Sequence, residues 1–184
     1  MAAVRWEWLF ADLEAQLEAD DRAGFEAELG DLVRAERSAI RLSDRLQAHL
    51  GCDVVLQVRS GDGVEAALLE VGSDWLLAKV STADVLVPFA SLVAVAGLSR
   101  SAVAGEARPA RALRLSTVLR GLAADRAPVA VELTGGAVLA GTIDRVFADH
   151  LDLAVHALDE ARRAGSVTGV RTVPTTAVER ITVP

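Results

Sequence analysis

The chain can be laid over itself. Val54-Val-Leu-Gln-Val-Arg-Ser-Gly61 aligns with Val129-Ala-Val-Glu-Leu-Thr-Gly-Gly136 at a constant offset of 75 positions, residue 54 falling on residue 129. The offset holds without a gap to Val80 and Val155. Along it Val71, Asp74 and Leu76 meet Val146, Asp149 and Leu151, while Val58 meets Leu133 and Leu68 meets Ile143. Farther on, Val87-Pro88 answers Val173-Pro174 after an insertion from Ala157 to Gly169. Upstream, Ile40-Arg-Leu-Ser43 answers Leu113-Arg-Leu-Ser116, followed by Leu46 and Leu119. Self-similarity of this kind restricts the fold more than any composition value, because it implies one supersecondary unit used twice.

Each copy reads in the same order. Apolar residues first recur at helical spacing: Leu32, Ala35, Ala39, Leu42, Leu46 and Leu50, then Leu113, Val118 and Leu122. Gly51 can close the first helix in a left-handed conformation. Period-two alternation follows, in Val54/Leu56/Val58 and Val129/Val131/Leu133, as a half-buried strand requires. Gly61-Asp-Gly63 and Gly135-Gly136 supply the positive φ of tight hairpin turns. Two further strands are expected at 64–71 and 74–80, with counterparts at 138–146 and 149–155. A last short pair flanks each Val-Pro, where proline is confined to a strand start or edge. One helix plus five short strands describes a small barrel.

With these residues in place, 31–98 and 108–183 resemble the Sm-like fold, a helix followed by a bent five-stranded barrel. The resemblance implies an α+β chain: an acidic helical segment at 1–30, a helix plus barrel at 31–98, a linker at 99–107 and a second helix plus barrel at 108–184. It also implies pairing between barrel edges. The stretch Arg5-Trp-Glu-Trp-Leu-Phe-Ala-Asp-Leu-Glu-Ala-Gln16 resembles a family of uncharacterised proteins from high-GC Gram-positive bacteria. Sm-like RNA binders resemble one another in a His/Phe-Met/Leu-Asn-Leu stretch and an Arg-Gly pair. Here His150-Leu-Asp152-Leu places an acceptor-only carboxylate where that asparagine would stand, and Leu77 takes the place in the first copy. Both copies carry Val-Pro before the last strand, so an RNA pocket of that kind is not expected.

Charge is concentrated at one end. Up to Asp31, nine acids (Glu7, Asp12, Glu14, Glu18, Asp20, Asp21, Glu26, Glu28 and Asp31) face only Arg5 and Arg22, which accounts for the whole net charge of −7. In the same stretch Trp6, Leu9, Phe10, Leu13 and Leu17 recur at spacing three and four and form one helical face. An acidic amphipathic helix suits a basic protein surface and repels nucleic acid. Its stripe either packs on the first barrel or on the adjoining helix, or serves as a partner-binding or self-associating helix.

Arg108, Arg111, Arg114 and Arg120 lie in a stretch without acids, the first three at every third residue. Two readings stand: a solvated helical face, or contact with nucleic acid phosphates. Arginine richness by itself says little, since Lys79 is the only lysine and Tyr and Asn are absent, as in a GC-rich genome. His150, Asp152 and His156 share strand parity, but no further ligand completes a metal set. Cys52 has no partner for a disulfide and no His/Asp constellation to activate it. No phosphate loop, nucleophile elbow or paired His-Glu motif occurs. No apolar run reaches the roughly 18–20 residues of a membrane helix, and the start of the chain lacks the pattern of a signal peptide. The residues therefore point to a soluble cytoplasmic scaffold or interaction protein, without cofactor or metal, that self-associates through barrel edges and binds a protein partner. The competing reading is a nucleic-acid-associated regulator using residues 108–120.

Overall fold

A computed structural model describes residues 8, 10, 14, 16–17, 25, 28–61, 63–103, 112–158 and 167–184. The chain divides into two compact units, Met1–Ile40 and Arg41–Pro184.

Apart from Ile40, the first unit is helical wherever it is described. Residues 28–39 form α1, and Trp8, Phe10, Glu14, Gln16, Leu17 and Phe25 are also helical. Asp31 and Arg34 pair across one turn of α1, a contact of small energetic weight at such exposure.

The second unit opens with α2, Leu42–Gln47. Sequence periodicity ran one helix through 32–50. The structure breaks it at Arg41, which is extended at φ −91° and donates its backbone N–H to Asp44 Oδ2 at 2.8 Å. Leu46 on α2 is fully buried, and Gln47 Nε2 donates to the carbonyl of Val71 at 2.8 Å. Gly51 follows with φ +79°, and its N–H reaches Leu68 O at 2.8 Å.

Ten strands then alternate with few interruptions: β1 Asp53–Val58, β2 Val64–Val71, β3 Trp75–Val80, β4 Ala83–Pro88 and β5 Leu92–Ala96, then α3 Leu115–Ala124, then β6 Pro128–Leu133, β7 Val138–Val146, β8 His150–Val155, β9 Gly169–Pro174 and β10 Val178–Val183. Alternation decides which side faces inward. Val54, Leu56 and Val58 of β1 are buried, as are Val129 and Val131 of β6. Gly135 and Gly136 turn the β6–β7 hairpin at φ +93° and +84°. Short 3-10 turns at Phe89–Ser91 and Thr175–Ala177 separate β4 from β5 and β9 from β10.

The expected pair of closed five-stranded Sm-like barrels does not form. All ten strands belong to one open antiparallel sheet in the order β5-β1-β2-β3-β4-β10-β6-β7-β8-β9. Closure of either set would need β4 to return to β5, or β10 to β9. Instead β4 pairs with β10, with Leu86 opposite Ile181, Val85 opposite Thr182 and Asp84 opposite Val183. The same hydrogen-bonding edge cannot serve both purposes. Nor are there two self-contained repeat units. Trp75, Leu77 and Leu86 from the first half pack in one cluster with Leu119, Leu151 and Ile181 from the second. Positions at the 75-residue offset, such as Leu76 and Leu151, are both buried, and the pairings Val54↔Ala66 and Val129↔Gly141 keep the same offset, but both sets of strands belong to one sheet.

Candidate functional site

Where β4 meets β10, the sheet contains an acidic residue that apolar patterning does not anticipate. The ladder between β10 and β6 passes from Val178↔Leu133 to Arg180↔Glu132, so Glu179 is the extra residue of a bulge. Its side chain is fully buried. Oε2 accepts the backbone N–H of Ser60 at 3.2 Å. Oε1 accepts Thr134 Oγ1–H at 3.1 Å and lies 3.6 Å from Arg59 Nε. The Ser60 hydroxyl has one proton and two carboxylates within reach. Glu132 Oε1 at 3.0 Å is nearer than Glu179 Oε2 at 3.5 Å and takes it. Arg180 pairs with Glu132 on the outer side. Arg59 also donates to the carbonyls of Ala90 at 2.9 Å and Thr176 at 3.4 Å.

The cluster brings together two acidic side chains, Glu132 and Glu179, and two arginines, Arg59 and Arg180. It joins the β1–β2 turn (Arg59, Ser60) to the second half of the sheet. Among the described residues neither the Ser60 nor the Ser91 hydroxyl bonds an imidazole. Ser91 Oγ bridges Pro88 O at 2.8 Å and Glu179 O at 2.7 Å. The chemistry on view is the locking of two strands.

The surfaces that remain open are the sheet's ends. Among the described residues β5 and β9 each pair on one side only, which leaves a row of backbone donors and acceptors facing outward. Val93 on β5 and Val170 on β9 are more than half exposed. A hollow of about 260 Å³ runs beside β5, lined by Leu42, Arg45, Phe89, Leu92 and Leu98. Large apolar residues are exposed in the first unit as well: Trp8, Phe10, Leu17, Phe25, Leu29 and Leu32.

Of the residues singled out by sequence, Trp6, Leu9, Leu13, Arg108 and Arg111 lie outside the described residues. Phe10 and Leu17 are helical and exposed. Arg114 does not stand on the helix: it precedes α3 in extended conformation, φ −87°. Arg120 is on α3 and exposed. The carbonyl of Leu113 accepts Trp75 Nε1–H at 3.0 Å, which ties this approach to β3.

His150, Asp152 and His156 do not converge. The His150 ring bonds Asp149 at 2.7 Å and stacks on Phe147 at 4.4 Å. Asp152 accepts from Thr172 at 2.8 Å, and His156 is buried against Thr142 Oγ1 at 2.7 Å. His150 holds the Asp149 carboxyl below its ordinary range, first through the hydrogen bond and then through its charge. The His49 ring bonds Arg45 O at 2.7 Å and accepts the Ser99 N–H at 2.9 Å. Cys52 is exposed. Among the described residues no group of His, Cys, Asp and Glu could hold a metal ion, and no helix is long and apolar enough to cross a membrane.

Glu179 was missed by sequence reading. Its only signal is an acid within the strand pattern Val178-Glu-Arg-Ile-Thr-Val. No protein-family model matches this chain, and no curated protein matches it.

Proposed function

We propose that the chain is a cytoplasmic, non-enzymatic interaction protein that self-associates through the ends of its sheet and binds a protein partner. The observation that supports this reading is the pair of single-sided edge strands, β5 and β9, each with an exposed valine. Unpaired edges are usually blunted by charge or covered. β5, Leu92-Val-Ala-Val-Ala96, carries no charged residue and no proline.

The test is sedimentation velocity on the full chain from low to high micromolar concentration. The parent is expected to associate, and Val93→Lys or Val170→Lys to shift it toward monomer, since both positions are exposed and neither change touches the core. A parent that stays monomeric throughout ends the self-association reading. Binding of duplex DNA or single-stranded RNA with a steep salt dependence, lost in Arg114→Ala/Arg120→Ala, would put a nucleic-acid regulator in its place.

A further inference from the structure

Phe25, Leu29 and Leu32 are each more than half exposed, at 66%, 51% and 64%. At about 100° per residue in an α-helix, positions three residues apart fall within about 60° of one another. On α1, Leu29 and Leu32 make one stripe, and Phe25, Leu17 and Trp8, at 66%, 65% and 76%, are further exposed apolar residues of the same unit. A helix in water does not keep such a stripe bare without a use for it.

Charge limits what can cover it. The nine acids up to Asp31 against two arginines carry the whole −7 of the protein. Glu28 and Asp31 lie beside the stripe and are exposed. A second copy would bring an equal charge against the first, and a phosphate backbone or anionic bilayer would meet the same repulsion. At physiological ionic strength the screening length is about 8 Å, shorter than the roughly 10–12 Å diameter of a helix. Only charges at the rim of an interface then act strongly, and there a basic rim gains what an acidic one would lose.

We propose that this helical stripe is the docking face for a partner protein whose apolar groove is rimmed by lysine and arginine. The proposal deepens the partner-binding half of the function proposed above and rests on it, but it does not depend on the sheet edges.

The experiment uses the full chain with two synthetic amphipathic peptides of equal length, one of leucine and lysine and one of leucine and glutamate. Binding is read from the combined emission of Trp6 and Trp8, since the third tryptophan, Trp75, is already buried. The Leu/Lys peptide is expected to shift that emission to the blue, less so at high salt, and the Leu/Glu peptide to leave it unchanged. The Leu29→Gln/Leu32→Gln variant should weaken binding by about tenfold or more, the scale of 1.4 kcal/mol. Val138→Gln, also exposed but on the sheet, should not. Circular dichroism of each variant confirms that the fold is kept.

Equal binding of both peptides, or an unchanged affinity in the Leu29→Gln/Leu32→Gln variant, overturns the proposal. So does a parent oligomer that this variant, rather than Val93→Lys, converts to monomer, for then a second copy is the occupant. A monomeric parent that still binds the Leu/Lys peptide ends only the edge reading.

Discussion

Replacing Glu179 by alanine tests whether the cluster at the β4–β10 junction holds the two halves together. The side chain is fully buried, and its carboxylate accepts the Ser60 N–H and the Thr134 hydroxyl. Hydrogen bonds to a charged group contribute about 1.5–3 kcal/mol each. Thr134 is exposed and can turn to water, so its loss counts at the low end. The Arg59 side chain is 42% exposed, so its pairing with Glu179 adds little after solvent screening. Loss of one buried methylene adds about 0.8 kcal/mol, and the desolvation that Glu179 no longer suffers offsets part of the total. The expected cost is about 3 kcal/mol. At about 2–4 °C per kcal/mol for a protein of this size, the Tm should fall by roughly 10 °C. Glu179→Gln keeps the shape but turns an amide donor or a neutral oxygen toward Ser60, and should cost about half as much. Thermal unfolding followed by circular dichroism, with urea titration alongside, measures both. If Glu179→Ala melts within about 2 °C of the parent, the cluster does not hold the junction. If Glu179→Gln is the more damaging change, the accounting from hydrogen bonds is wrong.

Leu151→Ala should cost about 2–5 kcal/mol, since Leu151 is fully buried, whereas Asp152→Asn keeps an acceptor for Thr172 and should leave Tm unchanged; equal melting of the two refutes the phase of β8. Gly141→Ala should destabilise strongly, because a Cβ there would lie 2.0 Å from the Ala154 carbonyl oxygen and the β7–β8 ladder would have to part. Gly121→Ala has open space on α3 and should stabilise by up to about 1 kcal/mol; the opposite ranking by denaturant titration would count against both. The Asp149 carboxyl, held low by His150, contributes stability that is present above its unfolded pKa and is lost as pH falls through the folded one. In His150→Gln its midpoint should therefore rise toward the ordinary carboxylate value; an unmoved carboxyl ¹³C titration would refute that cause.

Strand content was legible because local pattern sets it. Val54/Leu56/Val58, Gly135-Gly136 and the two Val-Pro pairs each act within a few residues, and β1, the β6–β7 turn and the ends of β4 and β9 stand where those signals put them. Sheet closure was not legible, because it depends on which distant edge β4 meets. Val85 and Leu86 are as compatible with one antiparallel neighbour as with another. The helix break at Arg41 was equally hidden, since the apolar spacing from Leu32 to Leu50 continues through it. Only the carboxylate of Asp44, bonded back to the Arg41 N–H, marks the stop. For the candidate surfaces, the acidic stripe could be read as charge plus periodicity, whereas the arginines could not be placed by spacing alone. Arg114 follows the same three-residue rhythm as its neighbours yet precedes the helix.

The two bulges next to the 3-10 turns differ in the side chain they turn out of the alternation, one on an interior strand and one on an edge strand. In β5 the ladder passes from Gln57↔Ala94 to Val58↔Leu92, making Val93 the extra residue, and its side chain is left 59% exposed. In β10 the extra residue is Glu179, fully buried and bonded to the backbone of Ser60 from the other half. A bulge twists a strand and aims one side chain out of the alternation. In β10 that side chain is a carboxyl group bonded to the β1–β2 turn of the other half, beside the place where β4 pairs with Ile181, Thr182 and Val183. In β5 it is an exposed valine on a strand at the end of the sheet. Equivalent bulges thus carry opposite chemistry: a polar residue tied across the junction in one, an apolar residue open to another molecule in the other.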